Sequence, residues 1–125
     1  MLAIIGGSGL YQLEGLVVNH QHRVTTPFGE PSAPIIEGLY CDQPVLFLAR
    51  HGEGHKYLPH EVNYRANIFA LKKLGARRVV GISAAGSLRM EIKPGELALA
   101  AQYFSPDDVN KLCASPTFRQ LMGWG

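Results

Sequence analysis

Only two cysteines occur in 125 residues, and Cys41 and Cys113 stand far apart without ligand spacing to one another. That excludes a disulfide framework and a zinc site and leaves both as expected free thiols of a reducing compartment. An excess of charge is also missing. Twelve Lys and Arg stand against ten Asp and Glu, a net +2, so no broad basic field marks a nucleic-acid partner. The basic pairs Lys72-Lys73 and Arg77-Arg78 flank an expected helix end, where cations complement the dipole. No apolar run approaches the roughly 20 residues needed to cross a bilayer. The N-terminus lacks a basic region ahead of its apolar residues, and Gly6 interrupts them after Ile5, so no signal peptide is expected. A soluble cytoplasmic protein with neither membrane nor nucleic acid as partner is the expectation.

What the chain does contain is 46% apolar and 18% charged residues, enough for one modest domain with its own core. Its centre of interest is Val45-Leu46-Phe47-Leu48-Ala49, a buried-strand pattern that runs straight into Arg50-His51-Gly52-Glu53-Gly54-His55. In α/β folds ligands sit at such strand ends. The glycines allow close backbone approach, and an arginine with two histidines supplies donors suited to a phosphate or carboxylate.

A second strand and glycine loop opens the chain: Leu2-Ala3-Ile4-Ile5 enters Gly6-Gly7-Ser8-Gly9-Leu10. The loop satisfies neither the dinucleotide fingerprint, since Gln12 stands where a third glycine belongs, nor a P-loop. It can present backbone N–H groups and the Ser8 hydroxyl to an anion, or serve as a plain turn. Between residues 11 and 34 the prolines at 27, 31 and 34 with Gly29 exclude helix and central strand there. His20 and His22 are read as an exposed strand face, without a third metal ligand.

Ile35 to Tyr40 and Val45 to Ala49, joined through Asp42-Gln43-Pro44, predict a hairpin. Residues 61–74 predict a helix, with Val62, Ala66, Phe69, Ala70 and Lys73 on one stripe, Ile68 and Leu71 beside it, and Gly75 as its stop. His51 and His55 are four apart, as on a zinc-binding helix, but Gly52 and Gly54 argue against a helix between them. Residues 79–83 predict another buried strand, leading into Ala84-Ala85-Gly86-Ser87-Leu88. Strand, helix, strand is the crossover of a parallel sheet, so the strands ending at Ala49 and Ser83 should share one sheet edge. The small Ala84, Ala85 and Gly86 leave room there for a flat ligand. A turn at Lys93-Pro94-Gly95-Glu96 and a short strand or helix start over Leu97 to Ala101 complete the reading.

Several of these stretches, in this order and spacing, resemble the purine nucleoside phosphorylase and methylthioadenosine phosphorylase family. They are Gly6 to Leu10, Thr26-Pro27-Phe28-Gly29, Arg50-His51-Gly52 with His55, Pro59, Val62-Asn63-Tyr64-Arg65-Ala66-Asn67, and Ala84 to Leu88. The methylthioadenosine or methylthioinosine branch is the most similar. The resemblance covers residues 2 to about 102. It implies an α/β fold with a mixed, largely parallel sheet and flanking helices, of which this would be the N-terminal half. It also implies cleavage of a purine nucleoside by inorganic phosphate as co-substrate, without a further cofactor or metal, and a homo-trimer. Carried over by position, Ser8, Arg50, His51, Ser83 and Ala84 would bind phosphate, and Ala84, Ala85 and Gly86 would line the nucleoside side.

The family is about twice this length, with its purine-reading carboxylate or amide in the second half. Residues 103–125 match nothing in it, so a truncated or frame-shifted chain, or a fragment, is expected. Asp107 and Asp108 read as a helix cap and not as the missing acid. A catalytically silent remnant that acts through self-association or a partner chain is the alternative. A histidine-phosphatase reading of Arg50-His51-Gly52-Glu53, with His51 as phosphoryl acceptor, lacks the second downstream histidine that it needs.

Overall fold

The computed structural model describes residues 1–101 together with Ala114, Pro116 and Gln120. The Asp107-Asp108 cap and Cys113 therefore lie outside the described residues. The chain divides into Met1–Gly86 and Ser87–Gly125.

The first unit contains β1 (Leu2–Gly6), β2 (Val17–His22), β3 (Ile35–Tyr40), β4 (Gln43–Ala49), α1 (Tyr64–Lys73) and β5 (Arg78–Gly81). One mixed sheet runs in the order β2-β3-β4-β1-β5. β2 with β3 and β3 with β4 are antiparallel, whereas β1 is parallel to β4 on one side and to β5 on the other. The first strand of the chain thus sits between two later ones. Such parallel pairs need long crossovers, and α1 lies on the connection from β4 to β5.

β4 is the best buried strand. Val45 through Ala49 are all inaccessible, as a continuous apolar run with neighbours on either edge requires. Leu46 and Leu48 share the core with Ala3, Ile35, Ala70 and Leu71, and Ile5, Val24, Ala33, Leu74 and Ala76 pack around it. The helix is entered through Asn63, whose side-chain oxygen accepts from the Ala66 N–H at 3.1 Å, a standard use of asparagine at an N-cap. It ends with Lys72 and Lys73 in the last turn and Gly75 at φ +94°. Its buried residues are Ala66, Asn67, Ala70 and Leu71, while Ile68 and Phe69 face outward. Of the expected stripe, Val62, Ala66 and Ala70 are buried, but Phe69 is not, and Asn67 and Leu71 are buried with the alanines.

Among the described residues α1 is the one α-helix given end to end. β5 stops at Gly81, so Ser83 stands beyond the strand that was expected to contain it. In the second unit Lys93 and Glu96 close a turn, the Glu96 N–H donating to the Lys93 carbonyl at 3.2 Å and the Lys93 N–H to the Glu96 carboxylate at 3.0 Å. Leu97 to Ala101 form neither strand nor helix.

Candidate anion site at the parallel strand ends

Register decides where the loops emerge. Gly6 lies opposite Ala49, and Ile5 opposite Gly81, so the parallel strands β4, β1 and β5 end nearly level. The loops that follow leave from one edge. This is the shared edge expected for β4 and β5, with β1 interposed.

Main-chain bonds continue past the strands. The Arg50 N–H donates to the Gly6 carbonyl at 2.9 Å, and the Ile82 N–H donates to the Ile5 carbonyl at 2.9 Å. Each loop therefore starts from a fixed backbone. The first loop turns at once, the Leu10 N–H donating to the Gly7 carbonyl at 3.0 Å, and it leaves Ser8 exposed.

Arg50, on the loop that follows β4, reaches across the loop after β1 to the one after β5. Its Nη1 donates to the Ser83 hydroxyl oxygen at 3.0 Å. A Cβ placed on Gly7 would stand 2.2 Å from Arg50 Nη2 and 2.8 Å from the Ile82 carbonyl oxygen. Only glycine lets the guanidinium pass there. One bond to Ser83 occupies one of its N–H donors and leaves the others for a ligand. A planar fork oriented by that bond is suited to a tetrahedral or carboxylate oxyanion.

His51 is treated differently. The residue is 4% exposed, and its Nδ1 donates to the Tyr57 carbonyl at 2.9 Å, while the Tyr57 N–H donates to the His51 carbonyl at 2.8 Å. With Nδ1 acting as donor, Nε2 remains for a further partner. The His55 ring stacks on it, with centroids 4.6 Å apart and planes inclined by 21°. The loop is thus a folded turn, with Gly52 at φ +77° and Gly54 at φ +69°, as their types suggest. Ala84, Ala85 and Gly86 continue from Ser83 as an exposed segment, and a Cβ on Gly86 would meet nothing within 4 Å.

The structure therefore joins Arg50 to Ser83 by contact and to the Gly7 turn by close approach. Two other motifs serve the scaffold. Asn63 Nδ2 donates to the Phe28 carbonyl at 2.7 Å, and the turn Thr26 to Gly29 is closed by Thr26 Oγ1 donating to the Gly29 carbonyl at 2.6 Å. The proline-containing turn thereby docks on the helix cap. Gly7 as the passage for the guanidinium was not singled out among its glycine neighbours, and the 2.9 Å contact of the Tyr11 hydroxyl with His55 Nδ1 was missed altogether. A hydroxyl-bearing aromatic one residue beyond the glycine turn was the available signal.

The chain matches the phosphorylase superfamily over residues 1–118 and belongs to that superfamily. Its relatives include S-methyl-5'-thioadenosine phosphorylase of Koribacter versatilis, 50% identical over 103 residues, which make up 82% of this chain and 35% of that protein. A protein of Xanthomonas campestris pv. campestris, named probable S-methyl-5'-thioinosine phosphorylase, is 48% identical over 101 residues, covering 81% of this chain and 40% of that protein. The solved methylthioadenosine phosphorylase of Schistosoma mansoni in apo form superposes with a TM-score of 0.72 at 44% identity, over 76% of this chain and 34% of that one. The same enzyme has been solved in complex with adenine. The chain spans little more than a third of the length of these relatives.

Proposed function

We propose that this chain forms the phosphate-holding end of a nucleoside phosphorylase that cleaves the N-glycosidic bond of methylthioadenosine or methylthioinosine with inorganic phosphate. The supporting observation is the Arg50 guanidinium, carried across Gly7 onto Ser83 at the level ends of three parallel strands. In such a reaction the ribose carbon gains cationic character as the purine leaves, and phosphate must wait on the opposite side. Holding the anion and orienting it supply most of the acceleration. Arg50 and the hydroxyls of Ser8 and Ser83 would fix the phosphate oxygens, with His51 and the Ala84 N–H completing the set. Ala84, Ala85 and Gly86, being small, would admit the nucleoside. Phosphate is co-substrate and no other cofactor enters. We assign the groups that read the purine to the part of the relatives beyond the matched region.

A cytoplasmic homo-oligomer, a trimer by family resemblance, belongs to the same proposal. Among the described residues no helix is long and apolar enough to cross a membrane.

The test measures the thermal midpoint of the 125-residue chain against inorganic phosphate at fixed ionic strength, beside purine release from methylthioadenosine and methylthioinosine. Binding to the folded state stabilises by about 2.7 kcal/mol at a hundredfold excess over Kd. Wild type should show that rise and Arg50→Ala should lose it. An equal phosphate response in both would sink the role of Arg50. Phosphate-dependent purine release would establish the activity in this chain alone.

A further inference from the structure

The Gly7 turn follows β1 and the Arg50 to His55 loop follows β4, and a side-chain contact joins their far ends. Tyr11, one residue past Leu10, shares a 2.9 Å hydrogen bond between its hydroxyl and Nδ1 of His55. Its ring stands edge-on to the imidazole, with centroids 5.9 Å apart and planes at 80°. His55 in turn lies on the buried His51, the residue next to Arg50. A line of contacts runs from an exposed phenol to a ring that cannot move freely.

The backbone of His55 sharpens the point. Its φ is +56°, in the left-handed region that glycine enters without a steric penalty and L side chains seldom adopt. A histidine held in that conformation must be retained by what its ring touches, here Tyr11 and His51. The ring is where the backbone would favour having none.

We propose that Tyr11 and His55 are positioning residues for the anion at Arg50. Their bond clasps the Gly6 to Leu10 loop, which carries Ser8, onto the Arg50 to His55 loop, and so fixes Ser8 relative to the guanidinium. The proposal rests on the phosphate reading above. Ser8 is exposed, so without the clasp its loop would have to be ordered as the anion binds, and that ordering would weaken the affinity. The loss would fall on binding and leave the folded core untouched, since Tyr11 is exposed.

The experiment determines half-saturating inorganic phosphate from thermal midpoints of wild type, Tyr11→Phe and His55→Gly at fixed ionic strength. Tyr11→Phe retains the ring and should raise half-saturation about three- to tenfold, with an unchanged midpoint in the absence of phosphate. His55→Gly removes the ring and relieves the backbone. It should raise half-saturation at least as much without lowering the phosphate-free midpoint. Unaltered half-saturation in either variant overturns the clasp, and a lower phosphate-free midpoint with unaltered half-saturation reduces it to a structural bond. If wild type itself fails to respond to phosphate, the phosphate reading falls and the clasp with it. A responsive wild type with unaffected variants removes the clasp alone.

Discussion

Both ends of the Asn67 amide are committed to Ser32. Its Oδ1 accepts from the Ser32 N–H at 2.8 Å, and its Nδ2 donates to the Ser32 hydroxyl oxygen at 2.9 Å, with both residues buried. The pair ties α1 to the segment between β2 and β3, 35 positions away in sequence. Deleting the amide would leave a buried main-chain donor without a partner, which costs more than the bond itself contributes. Asn67→Ala is expected to lower unfolding stability by about 2–3 kcal/mol in a urea titration. Asn67→Asp should retain the bond to the Ser32 N–H and lose less. At this scale the sequence spoke through residue types. Arg50 and Ser8 were singled out as donors at strand ends, and Ser83 through the family resemblance, whereas Asn67 entered only as part of a motif. Nothing in the identity of Gly7 distinguished it from Gly6 or Gly9, since the need for it arises from an arginine 43 positions later. The Tyr11–His55 contact was hidden for the same reason, its partners being 44 positions apart.

Between β3 and β4 the chain reverses in two residues, Tyr40 pairing with Gln43. Cys41 and Asp42 occupy it with φ of +49° and +59°. Both central residues left-handed is the primed turn that matches strand twist, and Asn-Gly is the pair that suits it. Cysteine in that conformation is strained. Replacing Cys41 by Asn and Asp42 by Gly together should therefore raise stability by about 1–2 kcal/mol, read as a shift in the urea midpoint at constant slope. An unchanged midpoint would mean that the turn contributes nothing to the equilibrium. The hairpin itself was legible, as were β1, β5 and α1, because each carries an apolar period or run closed by glycine or proline. β2 was visible only as an exposed face for His20 and His22. Asn19-His20-Gln21-His22 carries no apolar alternation, and it is a strand because β3 supplies its ladder, with His22 Nε2 donating to the Glu37 carboxylate across it. The helix was legible in place, though it is shorter than residues 61–74, and its expected stripe was right at Ala66 and Ala70 but wrong at Phe69. Phe69 is exposed, and Asn67 and Leu71 are buried beside the two alanines.

Taken whole, the sheet is covered unevenly. β5 flanks it among the described residues, and Val79 and Val80 are 46% and 47% exposed on that strand. A strand that offers unpaired main chain beside exposed valines favours association with another chain. The 125-residue protein should therefore sediment with a weight that rises with concentration, and Val79→Lys should flatten that rise. A concentration-independent monomer in wild type would show that the edge is satisfied in another way. The sheet order was beyond sequence reasoning. Nothing in Leu2 to Ile5 says that β1 inserts between β4 and β5.

That insertion also sets a timetable. β1 is made before both of its neighbours and can pair with neither until β4 has followed, and on its second side only after residue 81. Meanwhile the β3–β4 hairpin can close locally, since short loops close quickly and distant pairings slowly. Leu2 to Ile5 must wait as an unpaired apolar segment through most of the synthesis of this unit. Within this sheet, the strand that ends up between the loops of Arg50 and Ser83 is the one that waits longest for its neighbours.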